Sequence, residues 1–98
     1  MTRREALRRL ARNRAKLREQ GVHHISIFGS TSRDQATPQS DVDLLVEFDP
    51  AAHVGLFDFV RLLDHLSDVM DTRIDLATPD ALRPEMRAEI LAEAIRAF

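Results

Sequence analysis

Ile25-Ser26-Ile27-Phe28-Gly29-Ser30, followed after ten residues by Asp41-Val42-Asp43-Leu44-Leu45-Val46, is the stretch that decides how this chain is read. His24 to Phe28 alternates in polarity and is rich in β-branched residues, which predicts a strand. The chain holds only three glycines. One of them directly after that strand signals a required backbone conformation or a close ligand approach. Ser30 is expected to N-cap a short helix running to about Asp34, and Gln35 to Ser40, polar and broken by Pro38, reads as a surface loop. Asp41 to Phe48 then reads as a second strand. Side chains alternate across a strand, so Val42, Leu44 and Val46 share one face while Asp41, Asp43 and Leu45 share the other.

Outward from this centre the elements alternate. Residues 3–19 predict a helix, with Leu7, Leu10, Ala11 and Leu17 at helical spacing and Arg or Lys on the other faces; Gly21 ends it. Pro50 to Gly55 is a break. Leu56 to Met70 predicts a helix with a core stripe of Leu56, Phe59, Val60, Leu63, Leu66 and Met70. Ile74 to Ala77 is a third, short strand, Thr78-Pro79-Asp80 offers a cap with proline at the first helical position, and Arg83-Pro84 separates a turn from a last helix, 84–97. In that helix Met86, Ile90, Leu91, Ala94 and Ile95 form the apolar face. The order is α-β-α-β-α-β-α. For Gly29-Ser30 to meet Asp41 and Asp43 the first two strands must be antiparallel, and the following helix permits a parallel crossover to the third. The expected architecture is an α/β fold with a small three-stranded mixed sheet packed by helices, as a single domain over residues 1–98. It places Asp75 at the same end as the Asp41/Asp43 pair.

Composition narrows the classes. With 98 residues, 44% hydrophobic and 31% charged, one small core is expected. No stretch approaches a membrane span and the Arg-rich start lacks the apolar segment of a secretory signal, so a cytoplasmic location is expected. Without cysteine, thiol catalysis and thiolate metal sites are excluded, and a metal must sit on oxygen or imidazole. Net charge is −2, but residues 1–20 hold eight Lys/Arg against two Asp/Glu, leaving six basic and fourteen acidic residues beyond them. The basic start reads as a solvated helix face, with contact to nucleic acid, to an acidic protein or to nucleotide phosphates as the functional alternatives. No aromatic residue is interleaved there for base stacking.

Two carboxylates on alternate strand positions, about 6.6 Å apart along the strand, can lean toward a common ion and bridge to a second. Two divalent ions about 3.5–4 Å apart can hold the attacking and leaving oxygens of an in-line phosphoryl displacement. Mg²⁺ suits this because it binds through one or two carboxylates plus substrate phosphates. Asp75 would complete the second ion's coordination or accept the proton of an acceptor hydroxyl. On the other side, Gly29 lets backbone approach a triphosphate, the Ser30 hydroxyl donates to a phosphate oxygen, and Arg33, one turn on, pairs with the departing pyrophosphate. The set suffices for nucleotidyl transfer.

Gly29-Ser30-x10-Asp41-x-Asp43, with Ser40 before the pair and Leu44-Leu45-Val46-Glu47-Phe48-Asp49 after it, closely resembles the minimal nucleotidyltransferases of the DNA polymerase β-like superfamily. Arg73-Ile74-Asp75-Leu76, followed by Thr78-Pro79-Asp80-Ala81-Leu82-Arg83-Pro84, resembles their third-carboxylate strand and its exit. The likeness runs from about Leu7 to Ala97. A departure is Asp34, where relatives often have glycine after the arginine. The resemblance implies an antitoxin encoded beside a HEPN-domain ribonuclease toxin, transferring AMP from ATP with Mg²⁺ onto a toxin tyrosine and associating with that toxin. It also implies Asp41, Asp43 and Asp75 as catalytic metal ligands and Gly29, Ser30 and Arg33 as nucleotide-binding residues. The chain has no tyrosine of its own, so a tyrosine acceptor must come from a partner, as the small size also suggests. An antitoxin that neutralises by binding alone, and nucleic-acid binding through the basic start, are the competing readings.

Other polar residues read as structural. His23 and His24 are strand-edge residues far in sequence from a second ligand pair, and Glu47 and Asp49 are solvated strand-end charges. His53 and Gly55 belong to a turn that can line a nucleotide entrance. Phe57, off the main stripe of its helix, is core or partner contact.

Overall fold

The computed structural model describes residues 1–98. Two helices open the chain, α1 (Arg3–Arg12) and α2 (Arg14–Glu19), followed by β1 (Val22–Phe28), the short α3 (Gly29–Ser32) and β2 (Val42–Phe48). Then come α4 (Leu56–Met70), β3 (Ile74–Ala77), a 3-10 turn at Pro79–Ala81, α5 (Pro84–Glu93) and β4 (Ile95–Arg96). The expected antiparallel β1/β2 and parallel β2/β3 pairings are both present. The sheet order is β3-β2-β1-β4.

The class is as expected, but the sheet has four strands rather than three. The last helix stops at Glu93 instead of 97, because the backbone turns extended at Ala94 and Ile95–Arg96 pair antiparallel with Ser26 and Ile27. Ile25 exchanges two further bonds with the chain end: its N–H donates to Phe98 O at 3.2 Å, and its carbonyl accepts from Ala97 N–H at 2.8 Å. Arg14 and Arg18 lie over the Phe98 ring at 5.8 and 5.5 Å, a cation–π arrangement that fastens this terminus to α2.

The single helix expected over 3–19 is broken at Asn13, whose side-chain amide donates to Arg9 O at 2.9 Å. Such local side-chain bonds compete with the helical ladder. Thr2 caps α1 by accepting the Glu5 N–H at 3.1 Å, and Gly21 leaves α2 with φ +92°. Arg9 donates to Met70 O at 2.8 Å, closing the end of α4 with charge of the favourable sign.

Helices α1, α2 and α4 cover one face of the sheet. Ala6, Leu10 and Leu17 meet Ile25, Ile27, Val42, Leu44 and Val46 and, from α4, Leu62, Leu66 and Met70, all buried. The α4 stripe is therefore rotated from the expected one: Leu62 is buried, whereas Leu56 and Val60 are exposed. Phe57 is exposed as well. The other face carries only a small cluster of Phe28, Leu45 and Ile90 beneath α5, with Met86 and Leu91 left outside it. No helix is long and apolar enough to cross a membrane.

Candidate active site

The thinly covered face holds the carboxylates. In the parallel β2/β3 ladder Asp43 is the register partner of Asp75, so the two side chains project from the same face of neighbouring strands, whose spacing is about 4.8 Å. In the β1/β2 ladder Asp43 is opposite Phe28, the residue before Gly29. All three strands thus deliver the candidate site residues to one end of the sheet.

Asp43 is half-buried. Burial first, then the negative charge of Asp75, a hydrogen bond with it and the charge of Asp41 push the Asp43 carboxyl up to about 6, with the Arg33 charge opposing the rise. Desolvation and like charge both disfavour the ionised form. Asp41, just before β2, is exposed, and Arg73 Nε lies 3.7 Å from its Oδ1.

Gly29 is required twice over. Its φ is +66°, a left-handed conformation costly for any residue with a Cβ, and a Cβ built there would lie 2.2 Å from Asp43 Oδ2. The turn and the carboxylate are in direct contact. Ser30 lies inside α3 rather than capping it; Phe28 occupies the cap position and α3 ends at Ser32, not Asp34. The cause is that Gly29 itself already has helical hydrogen bonding, with its carbonyl accepting from Arg33 N–H at 3.3 Å. Asp34 takes φ +57°. Aspartate is one of the few residues that tolerates this region, and here its carboxylate also accepts the Arg3 N–H at 2.9 Å.

The structure brings Gly29, Asp43 and Asp75 together, and keeps Asp41 beside Arg73 at the rim. It places Arg33 on an acceptor absent from the sequence-based expectation: its Nη1 donates to Glu93 Oε2 at 2.8 Å. Glu93 Oε1 accepts the Gly29 N–H at 3.0 Å. Nothing in local spacing marks Glu93, sixty residues from Arg33 on a helix expected to continue past it.

A divalent ion is implied by the donor chemistry, and the residues fit one. No three carboxylates or imidazoles form a ready-made cage. Mg²⁺, however, uses only one or two carboxylates and completes its shell with substrate phosphates and water, and the paired, like-charged Asp43 and Asp75 supply such a set.

A small mixed sheet bearing an Asp pair on neighbouring parallel strands, closed by a Gly-Ser turn, defines a nucleotidyltransferase fold. The chain belongs to the nucleotidyltransferase domain family, whose model matches residues 7–97. Among its relatives is the protein adenylyltransferase MntA of Thermococcus cleftensis, 33% identical over 87 residues, an alignment covering 88% of this chain and 86% of that one. A solved candidate minimal nucleotidyltransferase superposes with a TM-score of 0.78 at 33% identity, covering 97% of this chain and 95% of the other. The fold is also shared with a Shewanella oneidensis complex of a tri-AMPylated HEPN toxin and an MNT antitoxin: TM-score 0.63, 18% identity, 94% of this chain and 71% of the matched one.

Proposed function

We propose that this chain is a Mg²⁺-dependent protein adenylyltransferase that moves AMP from ATP onto a hydroxyl, a tyrosine, of a partner HEPN-type ribonuclease toxin, and so acts as its antitoxin in the cytoplasm. The observation that carries the reading is the Asp43/Asp75 pair in parallel register against the Gly29 turn. Family membership and the named activity of the Thermococcus cleftensis relative support the reaction class. The Shewanella oneidensis complex supports the partner, and the absence of tyrosine from this chain requires a tyrosine acceptor to come from outside.

In this reading Asp43 and Asp75, joined by Asp41, would hold the metal. When bound, the ion neutralises charge on the phosphates and makes the acceptor hydroxyl more acidic. Gly29 keeps the turn close enough for a triphosphate to approach Asp43 without a side chain between them. Ser30 donates its hydroxyl to a phosphate oxygen, and Arg33 offers its remaining guanidinium N–H groups to the pyrophosphate as it leaves. Asp75, exposed at the β3 edge, can take the proton of an incoming hydroxyl.

Neutralisation by binding alone is kept as a second reading by the exposed Leu56, Phe57 and Val60 on α4. Against a nucleic-acid role, Arg3, Arg9, Arg14 and Arg18 already serve α3, α4 and Phe98 within the fold. The test is incubation with labelled ATP, Mg²⁺ and the toxin encoded beside this chain. Label on the toxin that disappears with Asp43→Ala and Asp75→Ala is expected. A toxin silenced equally well by those variants, without label, would favour binding alone.

A further inference from the structure

The geometry points to Glu93 as a positioning residue that clamps the Gly-Ser turn and Arg33 for nucleotide binding. The proposal rests on the nucleotidyl-transfer reading above and adds a residue to it. Glu93 is the last residue of α5 and is half-buried. Ile90, one helical turn earlier and so on the same side, is packed against Phe28 and Leu45. Two residues after Glu93 the chain is locked into the sheet as β4, with Ile95 paired to Ile27. Bracketed by these anchors, the side chain is delivered to Gly29, the residue after Phe28.

Each carboxylate oxygen then has one task. Oε1 accepts the Gly29 N–H at 3.0 Å, which pins a glycine already in the left-handed region. Oε2 accepts Arg33 Nη1 at 2.8 Å, while Arg33 Nε donates to Gln35 Oε1 at 3.2 Å. A planar guanidinium fixed through two nitrogens keeps its remaining donors in one orientation, and its charge reaches Asp43. Glu93 therefore leaves the Ser30 hydroxyl and part of Arg33 for phosphate, and supplies the order that lets both act without rearrangement on binding.

Calorimetric titration of the full chain with AMP-PNP and Mg²⁺ tests this, with melting temperature recorded for each variant. Glu93→Gln, which retains an acceptor for Gly29 but loses the charge on Arg33, is expected to weaken nucleotide binding about threefold to tenfold and to raise the KM for ATP more than it lowers kcat. Glu93→Ala is expected to weaken binding further. In an Arg33→Met background Glu93→Gln should cost less than about twofold, because the two act as one unit. Affinity in Glu93→Gln equal to or above wild type, or losses that multiply independently of Arg33, would overturn the role of Glu93 while leaving nucleotidyl transfer intact. A wild-type chain that binds no nucleotide with millimolar Mg²⁺ would overturn the transfer reading, and this role with it.

Discussion

The two faces of the sheet are built for different ends. The face under α1, α2 and α4 is a continuous apolar core of twelve buried residues, whereas the face under α5 has three, beside which Asp43 and Asp75 sit as a like-charged pair. Consecutive residues of β2 serve opposite purposes: Leu44 and Val46 supply stability, and Asp43 spends some of it. Folds commonly tolerate such locally unfavourable groups at functional sites because the rest of the structure over-determines them.

Leu44 and Leu45 sharpen this contrast most strongly, being adjacent and both nearly inaccessible at 0% and 4%. Urea unfolding of Leu44→Ala is expected to show a loss of about 3 kcal/mol, and that of Leu45→Ala about 2, because the smaller cluster can collapse around the gap. Equal losses, or the reverse order, would erase the distinction between the faces.

Gly29→Ala should destabilise by about 2 kcal/mol through its positive φ and the displaced Asp43 carboxylate, and a nucleotide titration should show weakened binding alongside. Asp43→Asn should act the other way. The folded carboxyl, held up at about 6 against an ordinary 3.8, binds more protons than the unfolded one between those values. The contribution of Asp43 to stability is therefore fully present below about pH 4 and is lost as pH rises through 6. The variant is expected to be about 1–2 kcal/mol more stable than wild type at pH 7.5, after allowance for partial exposure, and equal to it near pH 3.5. Arg73→Ala, which removes an exposed partner of Asp41, should change stability by less than about 0.5 kcal/mol.

How much of this was legible in the sequence follows the same division. The β2 alternation placed Val42, Leu44 and Val46 inside and the aspartates outside, and the strand order placed Asp75 beside them, because strand periodicity and turn residues are local signals. The α4 stripe was rotated because the helix carries more apolar residues than one face can bury. Only docking against α1 and the sheet selects Leu62 over Leu56 and Val60. Strand β4 was hidden because Ile95 also fits a helical spacing from Leu91. Its hydrogen bonds come from β1, some seventy residues away. Glu93 was lost with it, since its role exists only once α5 ends there.

The decisive comparison is transfer of labelled AMP from ATP to the proposed partner toxin by wild type and by Asp43→Asn at pH 7.5 with Mg²⁺. The wild type is expected to label a toxin tyrosine, and the variant, although more stably folded, to fall at least about a thousandfold short. Undiminished labelling by Asp43→Asn, or none by the wild type, would contradict the account.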